Sequence, residues 1–105
     1  MQFDGTVTFG LANLVFVPKA AAVYTLHDLR GILYVGRSID LRRRIWEHVT
    51  AEDNHLLRQV YATALPQVEV SWVLSGYPAQ ISLERAYIRA FLPVCNRQLP
   101  IPENN

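Results

Sequence analysis

Two short arms rich in β-branched and aromatic residues, Ala22–Leu26 and Ile32–Val35, stand on either side of Asp28 and Gly31. No other stretch limits the fold as strongly. Asp28 and Gly31 supply turn chemistry, the glycine being free to take positive φ, so the arms must double back as an antiparallel hairpin. Each arm carries a tyrosine, Tyr24 and Tyr34. The second arm runs directly into Arg37, Arg42, Arg43 and Arg44, with His48 close behind.

The remainder of the chain can be built around that hairpin. Ile39–Thr50 reads as a helix, with Ser38 as N-cap, Asp40 in the first turn where the helix dipole favours an anion, and Leu41, Ile45 and Val49 at helical spacing. A second helical pattern, Asn54–Thr63, starts from a cap at Asp53 and stops before Pro66. Gln67–Leu74 alternates Val68, Val70 and Trp72 against Glu69, Ser71 and Val73, the period of a strand. A last helix, Ala79–Phe91, ends at Pro93. The order β-β-α-α-β-α predicts an α+β domain, a small three-stranded sheet with helices packed on it. Residues 1–21 read as a lead-in, 22–97 as the domain and 98–105 as an extended, proline-bearing tail.

At 105 residues, half of them hydrophobic, one domain is expected. The single cysteine, Cys95, has no partner for a disulfide and no second thiol for a metal site. That favours a reducing compartment and a cytoplasmic or nucleoid-associated protein. No apolar run approaches the ~20 residues of a membrane span, and MQFDGTVTFG lacks the basic start of a secretory signal. The net charge of +1 matters more. Proteins that hold nucleic acid by bulk charge show a clear basic excess, so any phosphate contact here must come from a local cluster. Arg37 to Arg44 is the dense one.

Several residues sit where packing alone would not put them. On a helical wheel of Ala79–Phe91, Glu84 falls in the middle of an arc formed by Ile81, Tyr87, Ile88 and Phe91. A carboxylate left charged and unpaired in such a place costs several kcal/mol. It is therefore either half of an ion pair with a buried arginine, or a metal ligand or catalytic carboxylate at the edge of the core. On the preceding arginine-bearing helix, Arg44 and His48 share one border of the apolar stripe at i and i+4. Arg43 and Glu47 face solvent as an i,i+4 pair, and Arg42 and Trp46 flank the other border. Arg42 and Arg43 read first as a solvated helix face. A lone tyrosine in a strand is usually a core aromatic and a lone histidine usually structural. What gives Tyr24, Tyr34 and His48 weight is their convergence on one helix start.

These residues, in this order and spacing, resemble the GIY-YIG nuclease superfamily. Ala22-Val23-Tyr24 and, after nine intervening residues, Tyr34-Val35-Gly36 resemble its two signature tripeptides. Arg37 stands at its basic residue after the second tripeptide, Arg44 at its catalytic arginine and His48 at a position holding His or Tyr. Glu84 resembles its metal-binding glutamate, and Asn96 in Pro93-Val94-Cys95-Asn96 resembles its closing asparagine. Ala22 replaces the first glycine and Cys95 an aromatic, neither of them a catalytic position.

The resemblance implies a metal-dependent DNA endonuclease that hydrolyses a phosphodiester bond. Glu84 would hold one divalent cation, Mg²⁺ or in its place Mn²⁺. Tyr24 or Tyr34 would accept the proton of the attacking water, with guanidinium groups favouring its phenolate. Arg44 and Arg37 would stabilise phosphoryl charge, His48 would share proton handling, and Asn96 would orient the glutamate or the backbone near the metal. Arg37, Arg42, Arg43 and Arg44 form the implied phosphate-binding wall. Members of the family are usually joined to a module that chooses the DNA. None is visible here, so selectivity would come from substrate shape, a protein partner or a homodimer. The competing reading is a non-catalytic nucleic-acid- or protein-binding module that keeps the fold.

Overall fold

The computed structural model describes residues 2–63 and 67–96; the tail expected from residue 98 onward lies outside them. The hairpin forms as β2 (Ala22–Asp28) and β3 (Gly31–Ser38), longer than the apolar arms suggest. Asp28 closes the turn by accepting from the Arg30 N–H at 2.8 Å, and Gly31 takes φ +112°. Strand β4 (Glu69–Leu74) pairs antiparallel with the other edge of β2.

A fourth strand completes the sheet, so the count of three was one short. Gly5–Thr8 forms β1 on the outer edge of β4, giving the order β1-β4-β2-β3. This strand was hard to foresee because it is four residues long and its stability comes from its partner. Gly5 lies opposite Trp72, and a Cβ there would stand 2.3 Å from the indole, so only glycine lets the two strands close over that ring. The lead-in is thus part of the fold. Its next segment, Leu11–Phe16, is a 3₁₀ helix, and Phe9 stacks on Tyr61 at 4.8 Å between ring centres.

Both faces of the sheet are covered. Helices α1 (Leu41–Thr50) and α2 (His55–Ala62) bury Leu41, Ile45, Leu57 and Val60 against Tyr24, Leu26, Val70 and Trp72. Helix α3 (Ala79–Phe91) packs on the opposite face, where Tyr87 meets Val23 and Val35. The expected limits of α3 are met. Those of α1 and α2 shift by a residue or two, because Ser38 still pairs with Ala22 in the sheet and leaves Asp40 to cap α1. Asn54, one residue beyond the expected Asp53, caps α2 through Leu57 N at 3.0 Å. No helix among the described residues is long and apolar enough to cross a membrane.

Candidate active site

Strand alternation in β3 divides the candidate residues between the two faces of the sheet. Register pairs Tyr24 with Gly36 and Leu26 with Tyr34, placing both tyrosines on the α1 side, while Arg37, opposite Val23, faces α3. Gly36 makes the tyrosine arrangement feasible. A Cβ at that position would stand 2.5 Å from the Tyr24 hydroxyl oxygen and 2.6 Å from Cζ, so the phenol lies directly over bare backbone. Gly36→Ala is therefore expected to push Tyr24 out of place and to cost ~1–3 kcal/mol as overpacking. Its thermal midpoint should fall by roughly 5 °C or more. An unchanged melt would mean that the ring moves aside freely.

On the α1 side, four of the expected residues gather. The Tyr24 oxygen lies 2.6 Å from His48 Nε2, and the Tyr34 ring centre is 6.2 Å from that of Tyr24 and 5.6 Å from that of His48. His48 is buried, with its side chain only 1% exposed, deeper than the border position expected for it. Arg44 stands beside both phenols, and its charge favours the phenolate of each. Yet burial, reinforced for Tyr24 by Tyr34, outweighs the guanidinium and holds the Tyr24 pKa well above its ordinary value. Burial raises that of Tyr34 too. The expectation that guanidinium groups favour the phenolate is thus corrected for Tyr24: burial outweighs Arg44 and favours the neutral phenol.

The partners behind His48 were missed in the sequence. His48 Nδ1 lies 2.6 Å from Glu52 Oε1, and Tyr61 donates to the same oxygen at 2.6 Å. Glu52 Oε2 accepts from the Asn54 N–H at 3.0 Å. Burial alone would raise the Glu52 pKa, but the hydrogen bonds from His48, Tyr61 and Asn54 prevail and bring it down to about 2. An ionised carboxylate only accepts, so the proton on the His48 ring sits at Nδ1. A ring carrying its single proton there would present Nε2 as acceptor to the Tyr24 hydroxyl. One clue was available: Glu52 follows His48 by four residues, just past the C-terminus of α1, where the helix dipole disfavours an anion.

On the α3 side, Arg37 Nε donates to Glu84 Oε1 at 3.0 Å. The Glu84 side chain is 22% exposed and that of Arg37 43%. Glu84 does form an ion pair, but with an arginine at the surface and not a buried one. Gln80, one turn before Glu84, is buried and donates to Ser75 O at 3.0 Å and Ser38 O at 3.2 Å. It pins the start of α3 to the ends of β3 and β4 and so sets where Glu84 emerges. Asn96 bridges the backbone of Val35, accepting from its N–H and donating to its C=O, each at 2.8 Å. It closes the free edge of β3 between Tyr34 and Gly36.

The remaining arginines divide. Arg42 donates to Val17 O at 2.7 Å and Val15 O at 3.2 Å, tying α1 to the 3₁₀ helix. Arg43 is exposed, and Glu47 pairs with Arg44 at i,i+3, 3.1 Å, in place of the expected Arg43. Among the described residues, no three His, Cys, Asp or Glu side chains form a metal cage. A single part-exposed carboxylate at Glu84 still suits Mg²⁺, which keeps several waters and takes one or two carboxylates together with phosphate oxygens.

No protein-family model matches the chain. UvrABC system protein C from Shewanella denitrificans is 28% identical over 79 residues, 74% of this chain, and the match spans 13% of that relative's length. Among solved structures, the GIY-YIG N-terminal endonuclease domain of UvrC from Thermotoga maritima bound to magnesium superposes with a TM-score of 0.66. The identity is 15%, covering 81% of this chain and 92% of that one. A point mutant of the same domain, bound to its catalytic divalent cation, gives a TM-score of 0.67 at 16% identity, over 81% and 91% of the two chains. The hairpin with its paired tyrosines, the arginine-bearing α1 and the glutamate on α3 are therefore set in the fold of a GIY-YIG endonuclease domain.

Proposed function

We propose that the protein is a metal-dependent DNA endonuclease that hydrolyses a phosphodiester laid across the edge of β3. The observation that carries this reading is the buried Tyr24–His48 hydrogen bond beside Arg44, with the Glu84–Arg37 pair just across the strand. Glu84 would hold a divalent cation, Mg²⁺ or Mn²⁺, which when bound polarises the phosphoryl group and eases departure of the leaving oxygen. Arg44 and Arg37 stabilise the charge that builds on the phosphoryl oxygens. Tyr24 takes the proton of the attacking water, passing its own to His48 Nε2, while Tyr34 positions the phosphate. Asn96 keeps the β3 edge in register beside the site. The magnesium-bound UvrC endonuclease domain supports the metal, and a cytoplasmic or nucleoid-associated place remains the reading of the sequence.

Cleavage of branched, flapped and single-stranded DNA with Mg²⁺ or Mn²⁺, abolished by chelator, tests the proposal. Binding without cleavage of any of these would favour a non-catalytic module.

Binding itself should be weak and salt-dependent. With a net charge of +1, affinity rests on a few contacts from Arg37, Arg44 and Arg43, since the Arg42 guanidinium is engaged by backbone carbonyls. A fall in log K with log salt of slope ~3 or less is expected for about three neutralised phosphates. A titration showing tight binding that ignores salt would place DNA on a different surface.

A further inference from the structure

Glu52 and Tyr61 have no part in the reading above, yet with Tyr24 and His48 they form a continuous hydrogen-bonded chain that runs into the core. The order is Tyr24, His48, Glu52, Tyr61, with successive contacts of 2.6 Å. The Glu52 side chain is only 5% exposed. A buried carboxylate accepting from an imidazole, a phenol and a backbone N–H is costly to desolvate, and an apolar side chain would often pack as well, so stability alone does not account for it.

We propose, resting on the hydrolase reading, that Glu52 is the positioning residue of a Tyr24–His48–Glu52 relay and holds His48 in the tautomer whose Nε2 receives the Tyr24 proton. As the phenolic proton moves to Nε2, the ring becomes an imidazolium stabilised by the Glu52 carboxylate. The phenolate takes a proton from water, whose oxygen forms the new P–O bond as the old one breaks. The leaving oxygen gains its proton from solvent, and the relay returns one to solvent, so charge and atoms balance over the turnover. Tyr61 and Asn54 hold the carboxylate still; neither touches the reacting atoms. The relay also singles out Tyr24 over Tyr34 as base, since Tyr24 is the phenol bonded to Nε2.

The test has two parts, and the first does not depend on activity. Nitrogen NMR of the His48 ring in the intact protein should show the proton at Nδ1 and a bare Nε2. A proton at Nε2 overturns the proposal, whatever any variant does. In the second part, Glu52→Gln, which keeps the shape but can present its amide N–H₂ to Nδ1, should lower kcat by about 10²-fold or more. KM and the melt should change little, and the ring should become a tautomer mixture. In a Tyr24→Phe background the same change should add almost nothing, because residues that act as one unit are non-additive. A full additional loss there, or wild-type kcat in Glu52→Gln, defeats the relay. If Glu52→Gln does not fold, the wild-type tautomer alone decides. Failure of the wild-type protein to cleave any substrate would count against the hydrolase reading while leaving the tautomer result intact.

Discussion

Glu84→Gln is expected to abolish cleavage and leave the fold almost untouched. The side chain sits at the rim of α3, part exposed, and it accepts from Arg37 Nε at 3.0 Å, a bond that a glutamine oxygen can still accept. An exposed pair of this kind contributes ~0–1 kcal/mol, so the melting curve should hardly move. Activity depends on charge. A neutral amide binds a hard divalent cation far more weakly than a carboxylate, and losing several kcal/mol of metal stabilisation costs roughly 10³-fold or more in rate. If Glu84 serves only the ion pair with Arg37, the variant still cleaves, and its melt falls by no more than so exposed a pair contributes. A melt and an assay on one sample separate the two.

How much of this was legible depended on how local the physics is. The hairpin was, because turn chemistry and alternation act within a few residues, and the register that follows from them puts Tyr24 and Tyr34 on one face. The face of α1 that meets the sheet was legible for the same reason. β1 was not, since four residues carry no usable period and its pairing depends on Trp72, far along the chain. Glu52 was missed because it lies outside the helix that a wheel describes, and its bond to Tyr61 requires α2 to fold back. Gln80 was missed because a polar residue in a helix's first turn reads as solvent-facing until the ends of β3 and β4 are known to surround it. Glu84 stood out on its wheel, but the wheel could not tell the rim of an apolar face from its middle. The partner proved to be a surface arginine, Arg37.

The two tyrosines give the sharper mechanistic result. Tyr24→Phe and Tyr34→Phe both keep the ring, so packing over Gly36 and against Leu26 should persist and each variant should fold. Their hydroxyls differ in surroundings. Arg44 acts on both, but that of Tyr24 is also buried against His48 Nε2 at 2.6 Å. Removing the base should cost roughly 10²–10⁴ in rate. Removing a hydroxyl that only positions the phosphate should cost about one hydrogen bond to a charged group, ~1.5–3 kcal/mol. The larger loss is expected at Tyr24. Its pKa is held well above the ordinary value by burial, so the wild-type rate should climb toward alkaline pH as the phenol yields its proton more readily. In Tyr24→Phe that climb should disappear, whereas Tyr34→Phe should run lower but parallel to wild type. Equal losses with parallel profiles would mean that water is activated without Tyr24, and that the hydrogen bond to His48 serves only to hold the buried ring.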